Sequence, residues 1–557
     1  MKLVNKISLA VAVISSGMLF TGCKKFLDVN DNPNSLTQSR ADYIMTGALG
    51  NTARLQIGSS HIVSGTWSGM YAHSTSYTGG GNEKTYSVTN TDFDWWSSEY
   101  DNIYDYQRVI ETADADKFSF WKDPAMVMQC LVYARLVDAY GNIPFTESVK
   151  STGNLSPKFE TAQTVYDSLI SRLDKAIANM QAATWPGTSE YTKQDIYFGL
   201  NKTNWIKFAN TLKLRLLLHQ DFMGTRDGFI TTNILSTAAL GYLTTNVVCQ
   251  PGYQNVTGKL NPYYSTYGYN EVPTVTTNHQ YRKMGKVVID WLKATSKDTF
   301  RLQGLAYPIG AQPTTPLPAY PTAGGTFPSY VGVQMGAGAG FATASASPMG
   351  PFYIQKGNSA GTPMVVFTLA ESLLLQAEAA YKYPTVAAVV GVPQTLYESG
   401  IRAHFRLVGN MVTLGPSAAV GSGNLTNIAN NAANTQADNA YNAYMLRATT
   451  DPTVSPYVAW VLSPDPLRSI LIQKWVAFVH INGLEAWTDY RKSSVTKVAG
   501  HTFYSLPANP RSQVAPGSTD EPLRMVYPFA EVNTNGDHVP TGINDVQDSP
   551  IFWDINN

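Results

Sequence analysis

Apolar positions recur at steps of three and four along most of the chain. Tyr43, Ile44, Ala48 and Leu55 set a helix over 40–57, and Trp96, Tyr100, Ile103, Tyr104 and Val109 set another over about 92–113. Pro124 stands where a first helical residue tolerates proline and Gly141 is a helix stop, which predicts a helix over 124–140. The same spacing predicts helices over 161–183, 203–223, 364–383, 393–406 and 428–447. Asp465-Pro466 reads as an N-cap followed by proline at the first helical position. The helix it opens carries Leu467, Ile470, Leu471, Trp475 and Phe478 as one apolar stripe and ends at Gly483. Few stretches alternate with the period of a strand, so the class is mainly α. A 34-residue helical repeat is not visible as a sequence period.

Two stretches break the helical pattern. Residues 58–90 mix Gly65, Gly69 and Gly79-Gly80-Gly81 with Trp67, Tyr71, Tyr77 and Tyr86, a loop composition carrying rings. Residues 245–360 are rich in Pro, Gly, Ser and Tyr, divided by one helix expected at about 279–297. Structureless loops longer than about 12–15 residues are usually functional or disordered. Disordered segments are poor in aromatics, so this one reads as an ordered, irregular lobe laid over the helices.

The N-terminus changes the picture again. Lys2 and Lys6 precede an apolar run from Ile7 to Phe20, short of the roughly 20 residues of a spanning helix, as in a secretory signal. Phe20-Thr21-Gly22 before Cys23 is a lipobox pattern, in which the cysteine is acylated and becomes the mature N-terminus. The expected organisation is a signal at 1–22, lipidated Cys23 and tether at 23–39, and one large domain at 40–557. Within that domain the helical body would take 40–244 and 361–500, the lobe mainly 245–360, and a C-terminal tail 501–557. Each buried methylene contributes about 0.8 kcal/mol, so an acylated Cys23 can hold the domain on a membrane without a spanning helix.

Charged residues make up only 14%, against about 25% in average globular proteins, while aromatics reach 11%. Forty basic and forty acidic side chains cancel, which leaves no cationic footprint and excludes nucleic acid as a partner. Cys130 lies in an apolar run as a buried small hydrophobe, and export would permit a disulfide between it and Cys249. Catalytic patterns are missing: there is no HExxH, GxSxG or CxxC. Gly336, Gly338 and Gly340 miss the dinucleotide spacing, and Gly252 to Lys259 misses the P-loop. The eight histidines show no metal spacing. Glu371 and Glu378 share a helix face about 10.5 Å apart along the axis, beyond the roughly 5–5.5 Å of a retaining glycosidase pair. They read as structural carboxylates pairing with arginines, Arg402 among the candidates. No cofactor is expected; loop carbonyls and carboxylates leave room for a structural calcium, though no EF-hand spacing points to one.

Several stretches, in order, carry a resemblance. CKKFLDVNDNPN from Cys23, RLVDAYGNIPFTES ending at Ser148, PKFETAQTVYDSLISRLDKAI from Pro157 and WIKFANTLKLRLLLH from Trp205 come first. VVFTLAESLLLQAEAAYK from Val365, YESGIRAHF from Tyr397, ILIQKWVAFVHINGLEAWTDYRKS from Ile470 and RMVYPFAEVNTN from Arg524 come after them. The chain resembles the SusD/RagB family of Bacteroidota surface lipoproteins, with Lys492 standing where many members carry a second arginine. The resemblance implies tetratricopeptide-like helical pairs, a SusD-like α-α superhelix, with an irregular loop-rich lobe that bears the ligand site. It also implies a non-catalytic nutrient-binding lipoprotein of the outer membrane, exposed at the cell surface, and a SusC-like TonB-dependent transporter as partner.

A glycan would be held by rings stacked on sugar C–H faces, with amides and carboxylates on the hydroxyl rim. The loops offer two such groups, Trp67, Tyr71, His73, Tyr77 and Asn82, and Tyr263, Tyr264, Tyr267, Tyr269 and Asn270. Trp95, beside the helix-facing Trp96, is expected to point outward. For any one ring the competing role is packing its loop onto the helices. Peptide uptake by the same architecture, or a lipid-anchored hydrolase, are the alternative functions.

Overall fold

The computed structural model describes residues 40–555 apart from 116, 151–152, 187–189, 311–328, 357–358, 414–431, 494–511 and 515–520. The signal, Cys23 and the tether, and much of the expected lobe centre and tail, lie outside the described residues. From Ala41 onward the chain forms one compact unit.

Helices dominate, in chain order. The first set is α1 (Ala41–Gln56), α2 (Ser59–Trp67), α3 (Gly81–Thr85), α4 (Trp96–Thr112), α5 (Lys122–Tyr140), α6 (Ala162–Ala182), α7 (Lys202–Leu218) and α8 (Asp227–Thr237). The lobe holds short helices, α9 (Pro262–Tyr267), α10 (Thr277–Tyr281), α11 (Lys286–Asp290) and α12 (Thr299–Leu305). Then come α13 (Leu369–Lys382), α14 (Pro384–Val390), α15 (Pro393–Thr413), α16 (Ala432–Thr450), α17 (Ser455–Val458), α18 (Pro466–Phe478), α19 (Gly483–Ser493) and α20 (Phe529–Thr534). Caps fall where the side chains supply them. Thr161, Asn201, Thr368 and Asp465 each accept a backbone N–H at the start of α6, α7, α13 and α18.

Packing runs from neighbour to neighbour. α4 lies on α1, α5 on α4, α6 on α5 and α7 on α6; α13 then meets α7, α15 and α18, and α19 returns to α2 and α5. This is a helix-on-helix body of successive pairs, as expected. The α2–α19 crossing brings backbones together at Gly65 and Gly483. A Cβ on Gly483 would stand 2.0 Å from His61 O, so no larger residue fits there.

Three places differ from the periodicity. Residues 59–67, read as loop, form α2, because its buried face includes Ile62, Val63 and Trp67 and closes on α19. The single helix expected over 279–297 is split by a strand at Arg282–Met284, since pairing with Tyr71–His73 outweighs local spacing. The helix from Pro466 stops at Phe478, and Gly483 opens the next helix; His480, at φ +64, turns the chain between them.

Buried charges tie the body together. Arg215 Nε donates to Glu371 Oε1 at 2.7 Å, while Lys474 and Lys492 reach opposite oxygens of Glu378 at 2.8 and 2.7 Å. Both carboxylates are structural, but Arg402 is not their partner: it pairs with Asp438. Lys492 also donates to Leu218 O at 2.7 Å, a point-charge contact that a flexible ammonium makes readily. Cys130 and Cys249 are free thiols, both buried, so no disulfide joins them. No helix among the described residues is long and apolar enough to cross a membrane.

Candidate functional site

The strands that anchor the loop-rich region are few. β1 (Tyr71–His73) pairs antiparallel with β2 (Arg282–Met284), placing His73 opposite Arg282. This pairing fixes the 74–82 loop against α10 and against residues 341–343. Ser74 N donates to Tyr281 O at 2.8 Å and Thr75 N to Phe341 O at 2.8 Å.

Six of the nine ligand residues expected from the sequence are interior and are not open platforms. Trp67 is 2% exposed; its Nε1 donates to Glu83 O and its ring meets Trp487 edge-on at 5.0 Å. Tyr71, Tyr264, Tyr267 and Tyr269 are equally buried. Trp95 does not point outward but packs inside, its backbone N–H donating to Tyr140 Oη. In each case the ring packs its loop onto the helices, because burying an aromatic face releases more water than leaving it exposed.

Tyr71 belongs to a closed hydrogen-bond cluster. Gly483 N–H donates to His61 Nδ1 at 2.9 Å, so His61 carries its proton on Nε2 and donates to Tyr71 Oη at 3.1 Å. His480 Nε2 donates to Leu305 O at 2.7 Å, leaving Nδ1 to accept from Tyr263 Oη at 2.7 Å. Burial lowers His61 to about 3, aided by repulsion from His480, and lowers His480 to about 4. Both rings are neutral at pH 7, and the cluster joins α2, the α18–α19 turn and the lobe.

The three remaining residues lie at the surface. Asn270 is exposed and turns inward only to accept Thr274 N–H. Asn82 is exposed, and its Nδ2 donates to the Asp92 carboxylate at 2.9 Å. Tyr77 is half-buried and stacks on His73, with centroids 4.8 Å apart and planes 14° apart. Its other neighbour is Tyr281, also half-buried, at 5.1 Å. Gly79 and Gly80 are required here. A Cβ on Gly79 would enter the Tyr77 ring at 2.5 Å, and Gly80, at φ +68, would press on the His73 ring.

The stack has a polar setting. Arg282 makes a two-pronged pair with Glu83 beneath it, at 2.6 and 2.7 Å. Burial and the Arg282 charge lower His73 to about 3, so its ring is neutral, and its Nδ1 finds no hydrogen-bond partner among the described residues. The Ser74 hydroxyl lies 3.5 Å from that of Thr343, and Thr343 N donates to Ser76 Oγ. Half-exposed rings with hydroxyls and amides around them suit a polyhydroxylated ligand. Sequence reasoning missed Tyr281, Phe341 and Thr343, which reach the stack only through long-range pairing. No group of three or more His, Cys, Asp or Glu among the described residues is placed to hold a metal ion.

A continuous helical body whose loops present a small aromatic surface is a SusD-type scaffold, and solved structures share it. A SusD/RagB family protein from Bacteroides thetaiotaomicron superposes with a TM-score of 0.69 at 18% identity, covering 93% of this chain and 100% of its own. A chitin-binding SusD homologue from Flavobacterium johnsoniae gives 0.61 at 18% identity, covering 92% and 99%. An outer-membrane protein from Bacteroides vulgatus, described as probably involved in nutrient binding, gives 0.65 at 21% identity, covering 93% and 100%. The chain belongs to the SusD-like family described as starch-binding and associating with the outer membrane, whose profile matches residues 33–528. No curated protein matches it.

Proposed function

We propose that this protein is an outer-membrane surface lipoprotein, anchored through acylated Cys23, that captures glycan nutrients and passes them to a SusC-like TonB-dependent transporter. It binds without cleaving. Family membership supports glycan binding and the outer-membrane setting. The observation that carries the site is the His73–Tyr77–Tyr281 stack, where two half-buried tyrosine rings stand beside the hydroxyls of Ser74, Ser76 and Thr343. Asn82, in the first turn of α3 just after that loop, would reach the hydroxyl rim. Asn270 is exposed on a separate turn and has a secondary place in this reading.

A preformed stack lowers the ordering cost of binding, because the rings are already held by Gly79, Gly80 and the β1–β2 pair. The test is calorimetric titration of the full chain in detergent with starch- and chitin-derived oligosaccharides. Binding that weakens in Tyr77→Ala and Tyr281→Ala without a fall in melting temperature supports the site. Unchanged affinity in both would remove it. Tight binding of peptides with no sugar binding would move the function to peptide uptake.

A further inference from the structure

A second surface, sharing no residue with the ring stack, has its own binding chemistry. Trp96, Tyr100 and Tyr104 lie four residues apart on one face of α4, so their attachment points rise about 6 Å per step. They line a cleft of about 460 Å³ between α4, residues 144–150 and 154–157, and α20. That volume falls within the roughly 300–1,000 Å³ of small-molecule sites.

The rings are graded from floor to mouth. Trp96 is held at the inner end, packed 5.8 Å from Phe159 and 5.0 Å from Tyr100. Tyr100 is fixed by donating to Pro144 O at 2.6 Å, so its ring cannot swing away. Tyr104, 36% exposed, stands at the mouth. The carboxylate of Asp101, one residue beyond Tyr100, makes no hydrogen bond or ion pair among the described residues. Glu531 on α20 spends one oxygen on Asn535 Nδ2 at 2.8 Å, and Lys150 closes the rim.

We propose that this cleft is a second saccharide-binding site, taking a neutral oligosaccharide laid along α4. Trp96, 5% exposed, only closes the floor; Tyr104 and the open side of Tyr100 meet successive sugar units, and the Asp101 carboxylate accepts from adjacent hydroxyls. A rim of two carboxylates and one ammonium repels a polyanion and gives no single-sign pocket for a charged peptide end. The inference rests on the cleft and not on the ring stack, although the ligand class is the same as in the function proposed above.

The full chain in detergent is titrated with maltoheptaose, chitohexaose and laminarihexaose, with hydroxyl-radical footprinting of the bound state. In a Tyr77→Ala/Tyr281→Ala background, a single weaker class of site is expected for at least one of these sugars. Adding Tyr104→Ala should weaken that class at least tenfold, as should Asp101→Asn, with melting temperature unchanged because Tyr104 is at the surface. The bound sugar should shield Tyr104 from oxidation. Residual binding insensitive to both substitutions, absence of residual binding, or no binding by the unmodified chain would each overturn the proposal. If the cleft variants alone abolish binding, the second site stands and the ring stack is excluded as a glycan site.

Discussion

Two groups of rings from the same loops have opposite roles. Tyr71, Tyr263 and Tyr267, with His61 and His480, are sealed in the interior with hydroxyls paired to ring nitrogens or backbone carbonyls. Tyr77, six residues after Tyr71, and Tyr281, 14 residues after Tyr267, remain half-open; Tyr77 stacks on His73 and Tyr281 packs on Tyr77. The difference lies in hydrogen bonding as much as in area. Most buried tyrosine hydroxyls are held by a partner that accepts or donates, and in the inner group all three are, which makes it an assembled network that glues lobe to body. The outer group lacks that closure and is available for a ligand. Ring density in a loop therefore marks a folding seam first and a binding surface second.

The sharpest way to break this contrast is to truncate one ring from each group. Tyr263→Ala should lower stability by about 3–5 kcal/mol, because it removes a fully buried ring and leaves His480 Nδ1 only the longer contact to Tyr71 Oη at 3.1 Å. Denaturant unfolding of the full chain measures it. A loss below about 1 kcal/mol would show that the inner group is not a seam.

Acidification tests the same network through its histidines. His61 and His480 titrate near 3 and 4 when folded and near 6.5 when unfolded. Below pH 6.5 the unfolded chain takes up protons that the folded chain refuses, so each ring costs about 1.4 kcal/mol of stability per pH unit down to its folded value. Protonated His61 would turn an N–H toward the Gly483 N–H it now accepts from. His219 has the opposite slope: Glu485 and Asp138 outweigh its burial and raise it to about 9, so its contribution is complete below pH 6.5 and is lost as pH rises through 9. Unfolding free energies measured from pH 4 to pH 9 should fall on both sides, and His480→Gln should flatten the acid limb.

On the outer group the expected effect is on affinity. Tyr77→Ala or Tyr281→Ala should weaken glycan binding about tenfold, the equivalent of about 1.4 kcal/mol, with stability changed by less than about 1 kcal/mol. Asn82→Ala sharpens the contrast with the smallest effect, since its exposed bond to Asp92 is worth about 0.5–1.5 kcal/mol at most.

Much of the body was legible because its information is local. Asp465 marks a helix start in sequence and caps it in space, and the 161–183 spacing matches Ala162–Ala182 within a residue. The site was legible only as composition. Tyr77 and Tyr267 look alike in Gly-rich surroundings, and what separates them is the β1–β2 register and the carbonyls of Ile57 and Gly58 that receive Tyr267 Oη. Those are long-range facts with no periodic trace. Gly65 and Gly483 likewise suggest loop and stop, yet they are where two helices touch.

The most direct measurement is titration of oligosaccharides into the full chain and into its Tyr77→Ala/Tyr281→Ala and Tyr263→Phe variants, with melting temperatures recorded alongside. The account predicts that the outer double substitution weakens the principal binding at unchanged melting temperature, while Tyr263→Phe lowers the melting temperature and leaves affinity intact. Full affinity in the outer variant, or lost affinity in a folded Tyr263→Phe protein, would contradict it.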